Sequence, residues 1–158
     1  MIETRFTLKN PRRRSAKALV EAGHYDHVNH LVRQAKLAVD QQRVGDYEVV
    51  LIGAEPGVHC VTSNDALAAA SRARLDRPTY LDGLLFGEQF PEEHARGPIV
   101  LLHNPMYIWS GISFYLALTV EGGTRGKPRR RILSSVSSGG LWQSNYRFLF
   151  VHRLKNES

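Results

Sequence analysis

Residues 112–120 alternate between large apolar side chains and side chains that are polar or small, and this pattern constrains the fold more than any other stretch of the chain. The large side chains occupy every second position: Ile112, Phe114, Leu116, Leu118 and Val120. Because successive side chains of a strand point to opposite faces of a sheet, the pattern predicts a half-buried strand. Residues 130–136 and 146–151 show two further strand patterns. We therefore expect a C-terminal antiparallel β-meander.

The N-terminal part of the chain is predicted to contain one strand followed by two helices. Residues 2–8 alternate in the manner of a strand. Asn10 and Pro11 are predicted to cap and begin the first helix, since proline is favoured at the first helical position, and Gly23 is predicted to end it. Apolar residues at helical spacing predict a second helix from Asp26 to about Arg43.

The middle of the chain mixes strand, helix and irregular patterns. Residues 47–52 predict a buried strand, and residues 58–62 predict a shorter one. Ser63 or Asn64 is predicted to cap a helix that ends before Pro78. Repeated glycine and proline in residues 80–99 predict irregular chain with one short helical turn. The expected fold is a single α+β domain over residues 1–158: an N-terminal strand and helices, a central mixed segment and the C-terminal meander.

Positive charge is unevenly distributed along the chain. The sequence contains 21 Lys or Arg and 15 Asp or Glu, for a net charge of +6. Residues 1–45 carry nine basic and four acidic side chains, residues 46–98 carry four and nine, and residues 99–158 carry eight and two. If the two ends meet in the folded protein, they form a cationic face beside an acidic middle segment.

Several classes of protein are not indicated. The single cysteine, Cys60, allows no intramolecular disulfide, and we expect it in the core. The first residues lack the apolar segment of a signal peptide. Residues 106–120 are too short and too polar to span a bilayer. The sequence therefore predicts a soluble cytoplasmic protein with no membrane partner.

Two clusters of cations carry the functional prediction. Residues 121–133 gather five cations in a connection between two predicted strands, and residues 12–14 place three arginines in the first turn of a predicted helix, where the helix dipole disfavours them. Arginine presents a planar fork of donors that suits phosphate oxygens, so both clusters favour binding to the backbone of RNA or DNA. The predicted nucleic-acid-binding residues are Arg12, Arg13, Arg14, Lys17, Arg125, Lys127, Arg129, Arg130 and Arg131. We expect a binding protein or a subunit of a nucleoprotein assembly, rather than an enzyme.

Two other functions remain open from the sequence. The cations also suit a protein-interaction module that docks on an acidic partner. A hydrolase acting on nucleic acid would use His27, His30 or the group Glu92, Glu93 and His94. Residues 24–30 contain three histidines, but no second ligand pair with metal-motif spacing follows, so a surface helix start is favoured over a metal site. No cofactor, metal ion or catalytic residue is predicted.

Overall fold

The computed structural model describes residues 1–30, 32, 42–103, 107–109, 111–123, 126–137 and 141–152, and the structural statements below refer to these. Its elements, in chain order, are β1 (Ile2–Asn10), α1 (Ala16–Ala22), β2 (His27–Val28), β3 (Gly45–Gly53), β4 (Cys60–Thr62), α2 (Ser63–Arg72), β5 (Leu75–Asp76), α3 (Tyr80–Gln89), a 3-10 helix (Glu93–Arg96), β6 (Ile99–Val100), β7 (Tyr107–Trp109), β8 (Ile112–Glu121), β9 (Arg130–Ser137), β10 (Leu141–Gln143) and β11 (Arg147–His152). Helices packed on a mixed sheet confirm the α+β class. Within the described ranges, no helix has the length and apolar character needed to cross a membrane.

Nine of the described strands form one sheet, whose main path runs β1-β3-β11-β6-β8-β9-β2. β4 and β10 form a separate two-stranded ribbon. Most neighbours are antiparallel, but β11 runs parallel to β6 and β2 runs parallel to β9. The expected C-terminal hairpin is present as β8 and β9, which pair over eight residues. β11 does not continue this hairpin, because it lies in the middle of the sheet between β3 and β6.

Helices cover the sheet on both faces. Neighbouring residues of β3 alternate between two apolar clusters, so that Val49 joins Leu19 of α1 and Leu84 of α3, whereas Val50 joins Ala66 of α2. We call these two sides of the sheet the α1/α3 face and the α2 face. Because both faces are covered, residues 49–52 read as one continuous apolar run, and the buried strand predicted at residues 47–52 is confirmed.

The first helix begins at Ala16, later than the sequence predicts. Ser15 is its N-cap, and the Ser15 hydroxyl accepts a hydrogen bond from the backbone of the first turn. Asn10, the predicted cap, is the last residue of β1, and its buried side chain donates to the backbone carbonyl of Arg43. This tertiary hydrogen bond replaces the local capping role that the sequence indicates. Gly23 ends the helix, as predicted.

The second predicted helix does not begin at Asp26. The backbone N–H of Asp26 donates to the carbonyl of Arg131, and that of Asn29 donates to the carbonyl of Leu133, both at 2.9 Å. The two residues between them form β2, which adds to the edge of β9. Hydrogen bonds to a sheet edge therefore override the helical spacing here. The rest of this predicted helix, at residues 31 and 33–41, lies outside the described residues.

Residues 80–89 form the helix α3 where irregular chain was expected. The two glycines that argued against a helix lie where it is packed most closely, and all residues from 81 to 87 are buried. A Cβ on Gly83 would overlap the side chain of Leu101, and a Cβ on Gly87 would overlap the hydroxyl of Tyr25. Glycine is therefore needed here for close approach rather than for a turn.

The helix α2 is capped by Thr62, one residue before the predicted Ser63 or Asn64. The Thr62 hydroxyl accepts a hydrogen bond from the Asp65 backbone, and the Asp65 carboxylate accepts one from the Thr62 backbone, both at 3.0 Å. The hydrogen bonds from the Thr62 backbone and hydroxyl lower the pKa of Asp65. Cys60, just before this cap, is exposed, so the expectation that it lies in the core is wrong.

Candidate nucleic-acid interface

Two groups of cations that are distant in the sequence approach the same turn of helix α3. We call Arg12, Arg13, Arg14 and Lys17 the N-terminal cation cluster, and Arg125, Lys127, Arg129, Arg130 and Arg131 the hairpin cation cluster. Nη2 of Arg14 lies 2.8 Å from a carboxylate oxygen of Glu88. Nη2 of Arg131 donates to the backbone carbonyl of the preceding residue, Gly87, at 3.0 Å. The last turn of α3 therefore connects one arginine of each cluster.

The guanidinium of Arg131 is held by acceptors within the protein. Its Nη1 donates to the carbonyl of Gly23, which ends α1, and its Nε donates to Nε2 of His94 at 3.3 Å. Its Cζ lies 4.9 Å from the centre of the Tyr25 ring, within the range of a cation–π contact. Together with its bond to Gly87, these contacts join α1, α3, the 3-10 helix and β9. Arg131 therefore acts as an internal anchor, and we exclude it from the exposed surface that can meet a ligand.

Burial sets the protonation of the two side chains that contact this anchor. Burial and the positive charge of Arg131 lower the pKa of His94 from 6.5 to about 4, so the ring is neutral at pH 7 and accepts the proton of Nε. Burial raises the pKa of Tyr25 to about 12, although Arg131 acts in the opposite direction. A neutral imidazole and a neutral phenol thus surround one cation, whose charge is met mainly by carbonyl dipoles.

Five other predicted cations are exposed and have no ion pair within 4 Å among the residues that the structure describes: Arg12, Arg13, Lys17, Lys127 and Arg129. Arg130 is also exposed and lies 3.8 Å from the carboxylate of Glu121, its neighbour across the hairpin. An exposed pair at this distance contributes little stability and leaves the guanidinium accessible. The predicted binding residue Arg125 lies outside the described residues.

The connections that carry these cations differ from the sequence-based expectation. Residues 12–14 lie between β1 and α1, before the helix, so the predicted conflict with the helix dipole does not arise in its first turn. The hairpin connection is closed by a hydrogen bond of 3.0 Å from the Gly123 N–H to the Lys127 carbonyl. Gly123 has a φ of +82°, which suits glycine and lets the chain turn sharply.

Neighbouring arginines of β9 point to opposite faces of the sheet, as strand alternation predicts. Arg131 points to the α1/α3 face, whereas Arg130 lies beside a surface cavity of about 410 Å³. The cavity is lined by His27, Asn29, Glu121, Arg130, Ile132 and Ser134. The described cations of the hairpin cluster therefore lie on both faces of β9 rather than on one.

Two of the residues considered for catalysis, Glu93 and His94, contact arginines within the fold, whereas His27, His30 and Glu92 are exposed. The Glu93 carboxylate accepts a hydrogen bond from Arg147 at 2.9 Å, and His94 is fully buried beside Arg131. His103 is also buried, and its Nε2 accepts a hydrogen bond of 3.1 Å from the Leu116 backbone. Among the described residues, no three His, Cys, Asp or Glu side chains are grouped closely enough to hold a metal ion.

Sequence reasoning missed the residues that organise this surface. Glu88 positions Arg14 and Gly87 accepts from Arg131, yet both belong to a segment predicted to be irregular. No local pattern marks Tyr25 or Glu88 as a partner of an arginine far away in the chain. No protein-family model matches this chain, and no curated protein or solved structure is significantly similar to it.

Proposed function

We propose that the protein binds nucleic acid through its phosphate backbone, using the exposed cations Arg12, Arg13, Lys17, Lys127, Arg129 and Arg130. The observation that carries this proposal is that the first five are exposed without an acidic partner in the described part of the chain. Nearby like charges repel one another unless an anion is bound between them. Phosphate groups spaced along a strand supply such anions, and arginine binds them with paired donors.

The anchored arginines support a rigid surface rather than a mobile tail. Arg14 and Arg131 fix the two connections to α3, and the cations beside them extend from these fixed points. Binding groups held in place in advance lose less conformational entropy when a ligand is bound. A nucleoprotein subunit in the cytoplasm is the setting that we propose for this surface.

The cavity beside Arg130 favours single-stranded over double-stranded nucleic acid. Its volume of about 410 Å³ is within the range of small-molecule sites and is sufficient for one unpaired nucleotide. Ile132 supplies an apolar wall, while the Ser134 hydroxyl supplies an oxygen that can accept a hydrogen bond from a base edge. Bases within a duplex are stacked and paired, so they cannot enter such a cavity.

The test is fluorescence anisotropy with labelled single- and double-stranded RNA and DNA, from about 50 to 200 mM salt. A variant carrying Arg12→Ser, Arg13→Ser and Arg129→Ser removes three exposed cations from the proposed surface. The matched control carries Arg72→Ser, Arg74→Ser and Arg96→Ser, which removes the same charge from exposed positions elsewhere.

Native protein and control are expected to bind single strands with affinity that falls steeply with salt. The surface variant is expected to show a logarithmic salt slope smaller by about 2, since each lost phosphate contact removes about 0.7 for a single strand. Equal losses in the two variants would mean that only net charge matters. Absence of binding at the lowest salt would refute the proposal and favour an acidic protein partner.

A further inference from the structure

The first strand leaves one edge of the sheet open. β1 pairs with β3 along its whole length of nine residues, and none of the described strands pairs with its other side. At Lys9 the backbone N–H donates to the Gln89 side chain at 3.0 Å, and the carbonyl accepts from the same side-chain amide at 2.6 Å. The Lys9 backbone groups therefore point away from β3.

The direction of the remaining backbone groups follows from that observation. In an antiparallel ladder, residues alternate between those bonded to the partner strand and those whose N–H and C=O point outward. The continuous register of β1 with β3 contains no bulge, so Glu3, Arg5 and Thr7 share the outward direction of Lys9. The Gln89 side chain bonds the outward N–H and C=O of Lys9, so the part of the edge that stays open is residues 3–7.

We propose that β1 pairs antiparallel with β1 of a second copy of this chain, about a two-fold axis at Thr4. In this arrangement Glu3 lies opposite the partner's Arg5, and Arg5 lies opposite the partner's Glu3. Ile2 lies opposite the partner's Phe6. An open strand edge is a template for pairing with another chain, and a two-fold axis makes the contact self-complementary.

Hydrogen bonding and charge together select this register. Both members of a hydrogen-bonded pair must have outward-pointing groups, so odd-numbered residues must meet odd-numbered residues. An axis at Glu3 would place two glutamates opposite each other, and an axis at Arg5 would place two arginines opposite each other. An axis at Phe6 would pair Glu3 with the partner's Lys9, whose backbone is already bonded to Gln89. Only the axis at Thr4 gives opposite charges at free backbone groups.

Apolar contacts support the same register. Ile2 is the most exposed large apolar side chain of β1, with 49% of its surface accessible. On the same face, Phe6 packs edge-on against Phe86 and Phe90, with ring centres 5.2 and 4.9 Å away. Placing Ile2 beside the partner's Phe6 extends this aromatic cluster over an otherwise exposed side chain.

Sedimentation velocity over a range of micromolar concentrations, with two charge reversals, tests the proposal. The native chain is expected to sediment with twice its monomer mass. Glu3→Arg and Arg5→Glu are each expected to give monomers, because both place like charges opposite each other twice. An equimolar mixture of the two variants is expected to form a heterodimer, since it restores two opposite-charge pairs. Lys9→Glu, on the same strand but outside the pairing, is the control and is expected to remain dimeric.

Several results would contradict pairing through β1. A native chain that stays monomeric overturns the proposal. Dimers that persist in both single variants overturn the register, and so does a mixture that fails to associate while circular dichroism shows both variants folded. Amide hydrogen exchange adds a backbone readout, because the N–H groups of Glu3 and Arg5 should become slower to exchange as the native concentration rises. Exchange at these amides that does not depend on concentration would also contradict pairing through β1.

Discussion

Arg131→Met is expected to destabilise the fold by about 3–5 kcal/mol, while Arg129→Met is expected to change the free energy of unfolding by less than about 0.5 kcal/mol. The two arginines are two positions apart and identical in chemistry. They differ in their surroundings, because Arg131 has acceptors on three elements, whereas Arg129 is exposed. The comparison therefore separates an anchoring arginine from a ligand-facing one.

The magnitude follows from the contacts that methionine cannot make. Arg131 donates to Gly23, Gly87 and His94, and hydrogen bonds from a charged donor contribute about 1.5–3 kcal/mol each. Its contact with the Tyr25 ring adds about 0.5–2 kcal/mol. The sum overstates the loss, since methionine retains the apolar stem and removes the cost of desolvating a cation. We therefore expect Arg131→Met to lower the free energy of unfolding by about 3–5 kcal/mol.

Urea denaturation followed by tryptophan fluorescence and circular dichroism measures this difference. With a slope of about 1–3 kcal/mol per molar urea, the Arg131→Met midpoint is expected to fall by about 2 M. Nucleic-acid affinity is expected to show the reverse pattern in folded protein, with Arg129→Met weakening binding. An Arg131→Met midpoint within about 0.3 M of the native value would refute the anchoring role.

Two further predictions concern buried titratable groups. Because the His94 pKa falls from 6.5 to about 4 on folding, the unfolded chain takes up a proton that the folded chain does not, and stability is expected to decrease by about 3 kcal/mol between pH 7 and pH 4. Urea midpoints across this range should fall less in His94→Leu, and an equal fall in both proteins would contradict the assignment to His94. Tyr47→Phe is expected to lower the free energy of unfolding by about 1–3 kcal/mol, because the Tyr47 hydroxyl donates to the buried Asp82 carboxylate at 2.7 Å. Burial and that carboxylate raise the pKa of Tyr47, so the hydroxyl keeps the proton that it donates. Thermal unfolding checks this change, with Tyr146→Phe as a partly buried control. Equal melting temperatures for Tyr47→Phe and the native protein would contradict the prediction.

The elements that the sequence predicts correctly are marked by a side-chain pattern within a few consecutive residues. The strand β8 alternates over residues 112–120, and β3 contains an unbroken apolar run at residues 49–52. Both patterns identify a strand from local alternation or local apolar character. The end of α1 at Gly23 was predicted for the same reason, since glycine marks a helix C-terminus locally. The expectation that β8 is half-buried is wrong, because Ala117 is buried in the apolar cluster on the α2 face while Leu116 and Leu118 are buried on the α1/α3 face.

The elements that were missed depend on distant partners. The glycines of α3 resemble helix breakers until the side chains of Tyr25 and Leu101 are placed against them. Residues 27–28 are part of a helical pattern in the sequence, but the edge of β9 supplies backbone hydrogen bonds that draw them into the sheet. In both cases a contact more than ten residues away outweighs a preference worth at most about 1 kcal/mol per residue.

For the candidate site, too, some features can be read from the local sequence and others depend on the fold. Sequence alone established that cations are concentrated near both ends of the chain and that Arg130 and Arg131 would face opposite sides of a strand, because composition and alternation are local. Tertiary structure decided that Arg131 is an anchor while Arg12, Arg13 and Arg129 are exposed. That distinction depends on acceptors such as the Gly23 carbonyl, which is 108 residues away from Arg131 in the chain and close to it only in the fold.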